Sequence, residues 1–567
     1  MGDATAVRAT IASLREGAAR LVTTPPQDRA ALAEATARSV ATQADAWAEA
    51  SATIEQPAGG EPSRGLARGI LAEELATGPL VTLRLLRVTA AAWRQIAAEG
   101  RPRLPSRPRL AHPGAVGGRL AGHGEPHAPR VAIDVVPTPG LFDPLIFAGV
   151  KATVRTAGPA DLGAFERVRH EEVRRRPATG GVAVVLGAGN VSGLAASDAI
   201  CQIFEHGRAA WLKLHPLHAP LVGILAEAAR PLVEAGLLAI SIGGPELVET
   251  AVACEGVSQV HLTGGRGAYE AIRGLLASTG RPIPISCELG NVTPWIVVPG
   301  DYTPRQLAMQ ADMIAGSIIN NASFNCIATK VVVTCRGWPG REALLARIAS
   351  RLAAAPRRWA WYPGAAAAFE ERTGRPPPDD GRLPWLFETG IDAARDRRLI
   401  DREWFLPACV EIPLKADSLD RFCGAAAELA GSLPGSLAAN LTFPECGDAR
   451  DRQRAELLAE HLGYGVVAVN TWSALAYSMA CVPWGGLPGS TAENPQSGIG
   501  HVHDPLLLPL VHDTILRGPL CPRLPPAWLP WHPAADRLAA GLLRLYRTTN
   551  PLRHAWELAR MLPDVLR

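Results

Sequence analysis

The sequence predicts an α/β protein that contains two domains with largely parallel sheets. From residue 131 onward, short apolar runs alternate with helical patterns, and this alternation is typical of βαβ units. A second, less regular alternation extends from about residue 283 to 450. The chain has 567 residues, of which 47% are hydrophobic, so it is long enough to form several buried cores.

The segments before residue 131 have a different character. The first 100 residues carry Ala, Leu, Arg and Glu at helical spacing, as in RAALAEATARSVATQADAWAEA, and predict amphipathic helices. Residues 101–130 are rich in Pro, Gly and Arg, which indicates a loop or an extended arm.

Buried strands and helices then follow one another from residue 181. GVAVVLGAGN, AAWLKLHP, LLAISIGG and VSQVHLTGG each predict a strand that ends in a turn. GAGNVSG matches a dinucleotide-binding fingerprint only in part, because Ser192 stands where the third glycine is expected. Ligands of open parallel sheets bind at the carboxyl ends of the strands, so these turns are the candidate site.

Composition argues against several classes of function. The net charge of +3 is small and is not concentrated in one block, so no nucleic-acid partner is expected. The ten cysteines form no C-x-x-C pair, which argues against a metal site or a disulfide framework and favours a reducing cytoplasm. A signal peptide and an apolar run of 18 residues are both missing, so we expect a soluble protein.

Four residues are candidates for chemistry. Asn190 lies at the tip of a turn after a strand, and Lys213, one of only four lysines, lies at the end of the next strand. Glu288 has apolar neighbours that could raise its pKa into the range of a general base. Cys326 follows the polar stretch IINNASFN, which could stabilise a thiolate. Taken singly, the lysine could be a solvated surface residue, the glutamate a structural acid and the cysteine a small buried hydrophobe.

Together these residues resemble the aldehyde dehydrogenase superfamily in order and approximate spacing over roughly residues 130–500. The motifs that carry the resemblance are Asn190, Lys213, Thr263-Gly264-Gly265, Glu288-Leu289-Gly290-Asn291, Cys326, Glu403-Trp404-Phe405-Leu406-Pro407, Asn470, Pro483-Trp484-Gly485-Gly486 and Ser497-Gly498-Ile499-Gly500. The resemblance implies a Rossmann-like cofactor domain, an α/β catalytic domain and a bridging β arm through which subunits form a homodimer or a homotetramer.

The resemblance also divides the chain into segments. They are N-terminal helices associated with the cofactor domain (1–100), a Pro/Arg/Gly-rich loop or arm (101–130), a cofactor-binding domain with part of the bridging arm (131–270), a catalytic domain (271–465), a return segment with an oligomerisation strand (466–504) and a C-terminal extension (505–567).

The catalytic roles that the resemblance implies fall on three residues. Cys326 matches the nucleophile that attacks a small-molecule aldehyde to give a thiohemiacetal, which becomes a thioester when hydride passes to a nicotinamide. Asn190 matches the oxyanion donor, a kind of group that typically contributes about 3–4 kcal/mol to lowering the barrier. Glu288 matches the base that activates water to hydrolyse the thioester.

The remaining matches imply binding of NAD or NADP. Lys213 matches the contact to the adenosine ribose, and Glu403 matches the contact to the nicotinamide ribose. Phe405 lies beside the nicotinamide ring in the family, and Leu289 belongs to the same cofactor-binding set. Thr263, Gly264 and Gly265 match the turn that receives the pyrophosphate.

The sequence departs from the family pattern at three places. Ala188-Gly189 stands where the family usually has Pro-Trp before the asparagine, and Gly265 stands where a serine is common. Pro216 stands where NAD-preferring relatives often have a glutamate. A carboxylate there would repel a 2′-phosphate, so its absence favours NADP or dual use.

Two other functions stay open at this stage. An acyl-CoA reductase would transfer the acyl group to coenzyme A rather than to water, although Glu288 favours water. A scaffold that keeps the fold without catalysis is a further alternative, although it would have no need for Cys326, Asn190 and both glutamates together.

The C-terminal extension contains an amphipathic helical pattern, DRLAAGLLRLYRTT. Leu538, Leu542 and Leu545 share one face, with arginines beside it. The pattern predicts a helix packed on its own domain or on a partner subunit, and contact with a membrane surface is a less favoured alternative.

Overall fold

The computed structural model describes residues 4–56, 60–111, 130–158, 161–444, 449–548 and 550–566, with only the backbone of 449–452 and 455. Most of the segment predicted as a Pro/Arg/Gly-rich arm, residues 112–129, therefore lies outside the described residues.

The N-terminal region forms the helices that the sequence predicts. They are α1 (Ala4–Thr23), α2 (Pro26–Ile54), α3 (Arg64–Leu75) and, after a π-helical turn at Ala76–Leu80, α4 (Val81–Glu99). Helix α2 packs along α4, and Trp47 is fully buried between them and the rest of the protein. The Trp47 indole N–H donates to Ser192 Oγ at 3.1 Å, which fixes α2 against the predicted cofactor-binding region.

The remaining helices alternate with strands along most of the chain. They are α5 (Asp143–Ile146), α6 (Leu162–Arg175), α7 (Ser192–Phe204), α8 (Val222–Ala228), α9 (Arg230–Glu234), α10 (Pro245–Ala253), α11 (Arg266–Ser278), α12 (Pro304–Ile319), α13 (Arg341–Ala354), α14 (Ala365–Thr373), α15 (Leu419–Ser432), α16 (Ala449–His461), α17 (Ala474–Met479), α18 (Ala535–Arg547) and α19 (Pro551–Val565).

The strands of the described residues form two main sheets and a two-stranded ribbon. They are β1 (Arg109–Ala111), β2 (Arg130–Val136), β3 (Lys151–Thr156), β4 (Val182–Leu186), β5 (Ala209–Leu214), β6 (Leu238–Ile242), β7 (Val257–Thr263), β8 (Ile285–Glu288), β9 (Pro294–Val297), β10 (Val331–Cys335), β11 (Arg358–Trp359), β12 (Arg382–Leu383), β13 (Leu386–Glu388), β14 (Ala408–Leu414), β15 (Ala438–Thr442), β16 (Val466–Val469), β17 (Gly498–Ile499) and β18 (Val511–Arg517).

The smaller main sheet has the order β17-β8-β7-β4-β5-β6 and is parallel except for β17. Its strands at 182–186, 209–214, 238–242 and 257–263 confirm the βαβ alternation that the sequence predicts. The side chains of β4 are buried on both faces, as expected for a parallel strand covered by helices. Asn190 and Lys213 therefore lie at one edge of this sheet, where its strands end.

The larger main sheet has the order β1-β2-β3-β18-β16-β15-β9-β10-β14-β13. Strands β16, β15, β9, β10 and β14 are parallel, whereas β1, β2, β3 and β18 run antiparallel to one another. Strand β18 pairs in parallel with β16 of the same chain, with Val466 opposite Thr514. Strands β1, β2, β3 and β18 are thus part of the sheet of their own chain.

Strand β18, which lies beside β16, is beyond the segment 466–504. Strand β18 begins at Val511, after residue 504, where the sequence places the C-terminal extension. The segment 466–504 instead contributes β16 to the larger sheet and β17, which pairs with β8, to the smaller one.

The C-terminal helices pack on the protein's own N-terminal helices. Helix α18 contacts α3 and α2, and α19 packs against α18. Arg84 is buried and connects three segments: it pairs with Asp143 at 2.7 Å, and it donates to the Tyr546 hydroxyl at 2.8 Å and to the Met479 carbonyl at 2.7 Å. The buried Arg84–Asp143 ion pair favours this arrangement of the segments, because separating the two residues would leave a buried charge without a partner.

Helix α19 leaves an apolar face exposed, which includes Leu552, Trp556 and Leu562. Among the described helices, none has both the length and the apolar character needed to cross a membrane. Contact with a membrane surface stays a prediction of the sequence.

Candidate active site

Cys326 lies on a tight turn between α12 and β10. Asn321, Ala322 and Ser323 all have positive φ, at 51°, 53° and 66°. These left-handed conformations are costly for residues with a Cβ and persist only where surrounding contacts hold them. Lys330 supplies such contacts, since its buried ammonium donates to the Ser323 carbonyl at 3.0 Å and to the Ser323 hydroxyl at 2.9 Å.

The thiol of Cys326 faces the carboxyl group of Glu288. The distance from Sγ to Oε1 is 3.3 Å, and the other carboxyl oxygen accepts a hydrogen bond from the indole of Trp484 at 2.9 Å. Glu288 is the last residue of β8 and is buried. A carboxyl group at the end of a strand of the smaller sheet thus contacts a thiol that lies just before β10 of the larger sheet.

Burial shifts the pKa values of both groups upward. Desolvation and then the charge of Asp198 raise the pKa of Glu288 to about 7, while hydrogen bonds from Cys326 and Trp484 oppose that shift. Desolvation, followed by the charges of Glu288 and Glu403, raises the pKa of the Cys326 thiol well above its usual value. The thiol is therefore protonated at rest, and the carboxyl group has the pKa that suits a base near neutral pH.

Asn190 lies on the turn between β4 and α7, which contacts the turn that carries the cysteine. Its side-chain amide donates to the Phe324 carbonyl at 3.2 Å, and the Asn321 amide donates to the Asn190 carbonyl at 2.7 Å. A side-chain amide has two N–H donors, so one remains for a substrate oxygen. The backbone N–H of Cys326 points towards its own sulfur. The structure therefore brings Asn190, Glu288 and Cys326 together.

The predicted pyrophosphate turn lies between β7 and α11. The Thr263 hydroxyl donates to Asp198 at 2.8 Å, so it faces the protein interior rather than the cleft. The Gly264 backbone N–H donates to the Glu288 carbonyl at 3.0 Å, which connects this turn to the strand of the catalytic base. Gly265 has open space beside its Cα and precedes the first residue of α11.

Glu403 and Phe405 lie close to the catalytic turn. The carboxyl group of Glu403 is packed so closely against Gly290 that a Cβ there would lie 2.1 Å from Oε2. Burial raises the pKa of Glu403, and the charge of Lys330 opposes that shift. The buried Oε1 has no hydrogen-bond partner among the described residues, so it is free to accept from a hydroxyl group. The Phe405 ring packs on Tyr362, with centroids 4.7 Å apart.

Lys213 and Leu289 complete the predicted set. Lys213 is half-buried and forms no hydrogen bond with any described residue, and burial lowers its pKa. The charge of Glu246, at the start of α10, raises the pKa of Lys213 and so opposes the effect of burial. Leu289 is buried beside Glu288. The Lys213 ammonium and the Glu403 Oε1 atom, which have no hydrogen-bond partner among the described residues, are suited to bind phosphate or hydroxyl groups of a ligand.

Sequence reasoning assigned no role to three residues that hold this site. Trp484 is part of a family motif, but only the structure connects its N–H to Glu288. Asn321 holds both Asn190 and the Phe324 carbonyl. Lys330 is fully buried and also donates to the Leu406 carbonyl at 3.0 Å. The scarcity of lysine in the sequence is the one signal that could have drawn attention to Lys330.

Comparison with known proteins agrees with this geometry. Residues 150–355 match the model of the aldehyde dehydrogenase family. Over these residues the chain is similar to aldehyde dehydrogenases. A comparison with curated proteins found no significant match.

Solved structures share the fold of this chain at low sequence identity. An aldehyde dehydrogenase from Mycobacterium tuberculosis in complex with NAD⁺ has a TM-score of 0.60 and 16% identity, covering 91% of this chain and 90% of that one. The NADP-dependent glyceraldehyde-3-phosphate dehydrogenase from Bacillus halodurans, in complex with NADP, has a TM-score of 0.58 and 15% identity, covering 91% of each chain. The indole-3-acetaldehyde dehydrogenase AldA of P. syringae has a TM-score of 0.55 and 16% identity, covering 91% and 88%. The predicted fold class is confirmed.

Cys326 lines a large cavity. The cavity has a volume of about 1580 Å³, and Asn190 and Glu288 also line it. Its wall continues from the catalytic turn to the C-terminal segment, through Trp472, whose indole N–H donates to the Ile327 carbonyl at 3.1 Å.

Proposed function

We propose that this protein oxidises an aldehyde to a carboxylic acid with NAD⁺ or NADP⁺, through covalent catalysis at Cys326. The observation that carries the proposal is the contact of 3.3 Å between the Cys326 thiol and the Glu288 carboxyl group, whose pKa is raised to about 7. A thiol needs a nearby base to become a thiolate, and a base that titrates near neutral pH can both accept and return a proton.

The reaction begins when the thiol proton passes to Glu288. The thiolate then adds to the aldehyde carbon, and the oxygen of the resulting thiohemiacetal accepts hydrogen bonds from the Asn190 amide and the Cys326 backbone N–H. When bound, the nicotinamide ring supplies the acceptor for the hydride that leaves this carbon. After Glu288 has lost its proton it deprotonates a water molecule, which attacks the thioester and releases the acid and the thiol.

The cofactor is held by the residues that match the family's binding set. Lys213 would contact the adenosine ribose, the turn Thr263–Gly265 would receive the pyrophosphate, and Glu403 would accept a hydrogen bond from the nicotinamide ribose. The free carboxyl oxygen of Glu403 supports this assignment. Dual use of NAD and NADP fits the site best. Pro216 stands where NAD-preferring relatives often have a glutamate, so one carboxylate that would repel a 2′-phosphate is missing near Lys213. Glu246 still places a negative charge near the same lysine.

Glu288 also favours water over coenzyme A as the acyl acceptor. To test this, purified protein is given a panel of aldehydes with NAD⁺ or NADP⁺, with and without coenzyme A. Formation of acid and reduced cofactor without coenzyme A supports the proposal, whereas strict dependence on coenzyme A would establish an acyl-CoA reductase. The Cys326→Ala variant should lose all turnover, and normal turnover by this variant would rule out the nucleophile assignment.

A homodimer or homotetramer in the cytoplasm is part of the proposal. Because β18 already pairs with β16 of its own chain, association must either exchange the arm between subunits or use another surface. Sedimentation velocity of the full chain distinguishes a monomer from these oligomers.

A further inference from the structure

The cavity at Cys326 is larger than a small aldehyde requires. Ligand pockets usually have volumes of about 300–1,000 Å³, whereas this cavity has about 1580 Å³. Much of its wall comes from the C-terminal extension, whose apolar contributors include Trp528, Leu538, Leu542, Leu545 and Met561. Helix α3 and the residues before α4 also line the cavity.

The extension is in contact with the catalytic turn. The rings of Trp528 and Trp472 pack with their centroids 4.8 Å apart. Trp472 in turn donates to the carbonyl of Ile327, the residue after the nucleophile. The apolar part of the cavity is therefore continuous with the reaction centre rather than a separate void.

Three of the four charged side chains on the described wall have partners within the protein. Glu73 and Arg358 pair with each other at 3.2 Å, and Arg358 also pairs with the buried Glu55. Arg523 is exposed, and Glu288 belongs to the reaction centre. The residues proposed to act on an aldehyde, Asn190, Glu288 and Cys326, line the same cavity.

We propose that the substrate is a long, unbranched aliphatic aldehyde whose hydrocarbon chain lies along the C-terminal extension while its carbonyl group reaches Cys326. This inference rests on the proposed function. Burial of each additional methylene should raise kcat/KM by about fourfold until the cavity is filled. Over the series propanal, hexanal, decanal and dodecanal, decanal should exceed propanal by at least about a hundredfold.

Gly69 offers a direct test of where the chain lies. It is in α3, it lines the cavity, and a Cβ added there meets no atom within 4 Å. In the Gly69→Phe variant, the ring should occupy cavity space and lower kcat/KM for decanal at least tenfold more than for propanal. Gly431→Phe is the matched control, because Gly431 is also a helical glycine with open space but does not line the cavity.

The outcomes separate this inference from the proposed function. If no aldehyde of any length is oxidised, the proposed function is wrong. If aldehydes are oxidised but kcat/KM does not rise with chain length, or Gly69→Phe and Gly431→Phe behave alike, the inference about the cavity is wrong. Calorimetry with the Cys326→Ala protein gives a readout without turnover, in which decanoate should bind more tightly than butanoate. Adding Gly69→Phe to this protein should abolish the difference in affinity between the two acids.

Discussion

The hydrogen bond from Trp484 to Glu288 lowers the pKa of the proposed base and so opposes the effect of burial. The indole N–H is 2.9 Å from the carboxyl oxygen and favours the ionised form of Glu288. A hydrogen bond to a charged group contributes about 1.5–3 kcal/mol, and about 1.4 kcal/mol corresponds to one pKa unit. Trp484→Phe should therefore raise the pKa of Glu288 from about 7 to about 8 or 9.

The sign of the effect on activity follows from the role of the base. Only ionised Glu288 can accept the thiol proton, so kcat/KM of the parent protein should rise with pH through about 7. In Trp484→Phe this rise should move to higher pH. At pH 7 the variant should then have about 5- to 50-fold lower kcat/KM, and the difference should shrink as the pH is raised.

The assay is the initial rate of formation of reduced nicotinamide across a range of pH with one saturating cofactor. Trp472→Phe is the matched control, because it removes an indole N–H from the same cavity, but one that donates to a backbone carbonyl rather than to a carboxyl group. The Trp472→Phe variant should change the rate but leave the pH at which kcat/KM rises unchanged. An inflection of Trp484→Phe at the same pH as the parent, or at a lower pH, would refute this account of Glu288.

Three further predictions follow from the site. Asn190→Ala should lower kcat by about 10²–10³, the effect of losing one oxyanion donor, and a thermal melt close to that of the parent would show that folding is intact. Lys330→Met should leave buried oxygen acceptors without a donor and reduce the free energy of unfolding by about 2–4 kcal/mol, measured by urea titration; an unchanged midpoint would contradict this. Glu246→Ser should raise the ratio of kcat/KM for NADP⁺ to that for NAD⁺ by about fivefold, because it removes a negative charge near Lys213, and an unchanged ratio in steady-state kinetics would remove Glu246 from the cofactor site.

Much of the candidate site is predictable from sequence because strand ends and turns are local features. Asn190, Lys213 and Glu288 each follow from a short apolar run that ends in a turn, and parallel strands present such ends at one edge of a sheet. The structure places them as this rule predicts, and it adds the contact between Glu288 and Cys326. The pKa of Glu288 needs the structure, because desolvation and the charge of Asp198 depend on residues far apart in the sequence.

The sequence by itself determined the α/β class, the parallel strands of the smaller sheet and the residues that could take part in the reaction. Tertiary structure alone decided that β18 pairs with β16, that Trp484 holds Glu288, and that the C-terminal extension lines the cavity at Cys326. The physical reason is that periodicity reports which face of one element is apolar, but not which distant element covers that face. An amphipathic helix in the last residues therefore predicts a buried face, and only the folded chain shows that this face borders the cavity at the proposed nucleophile.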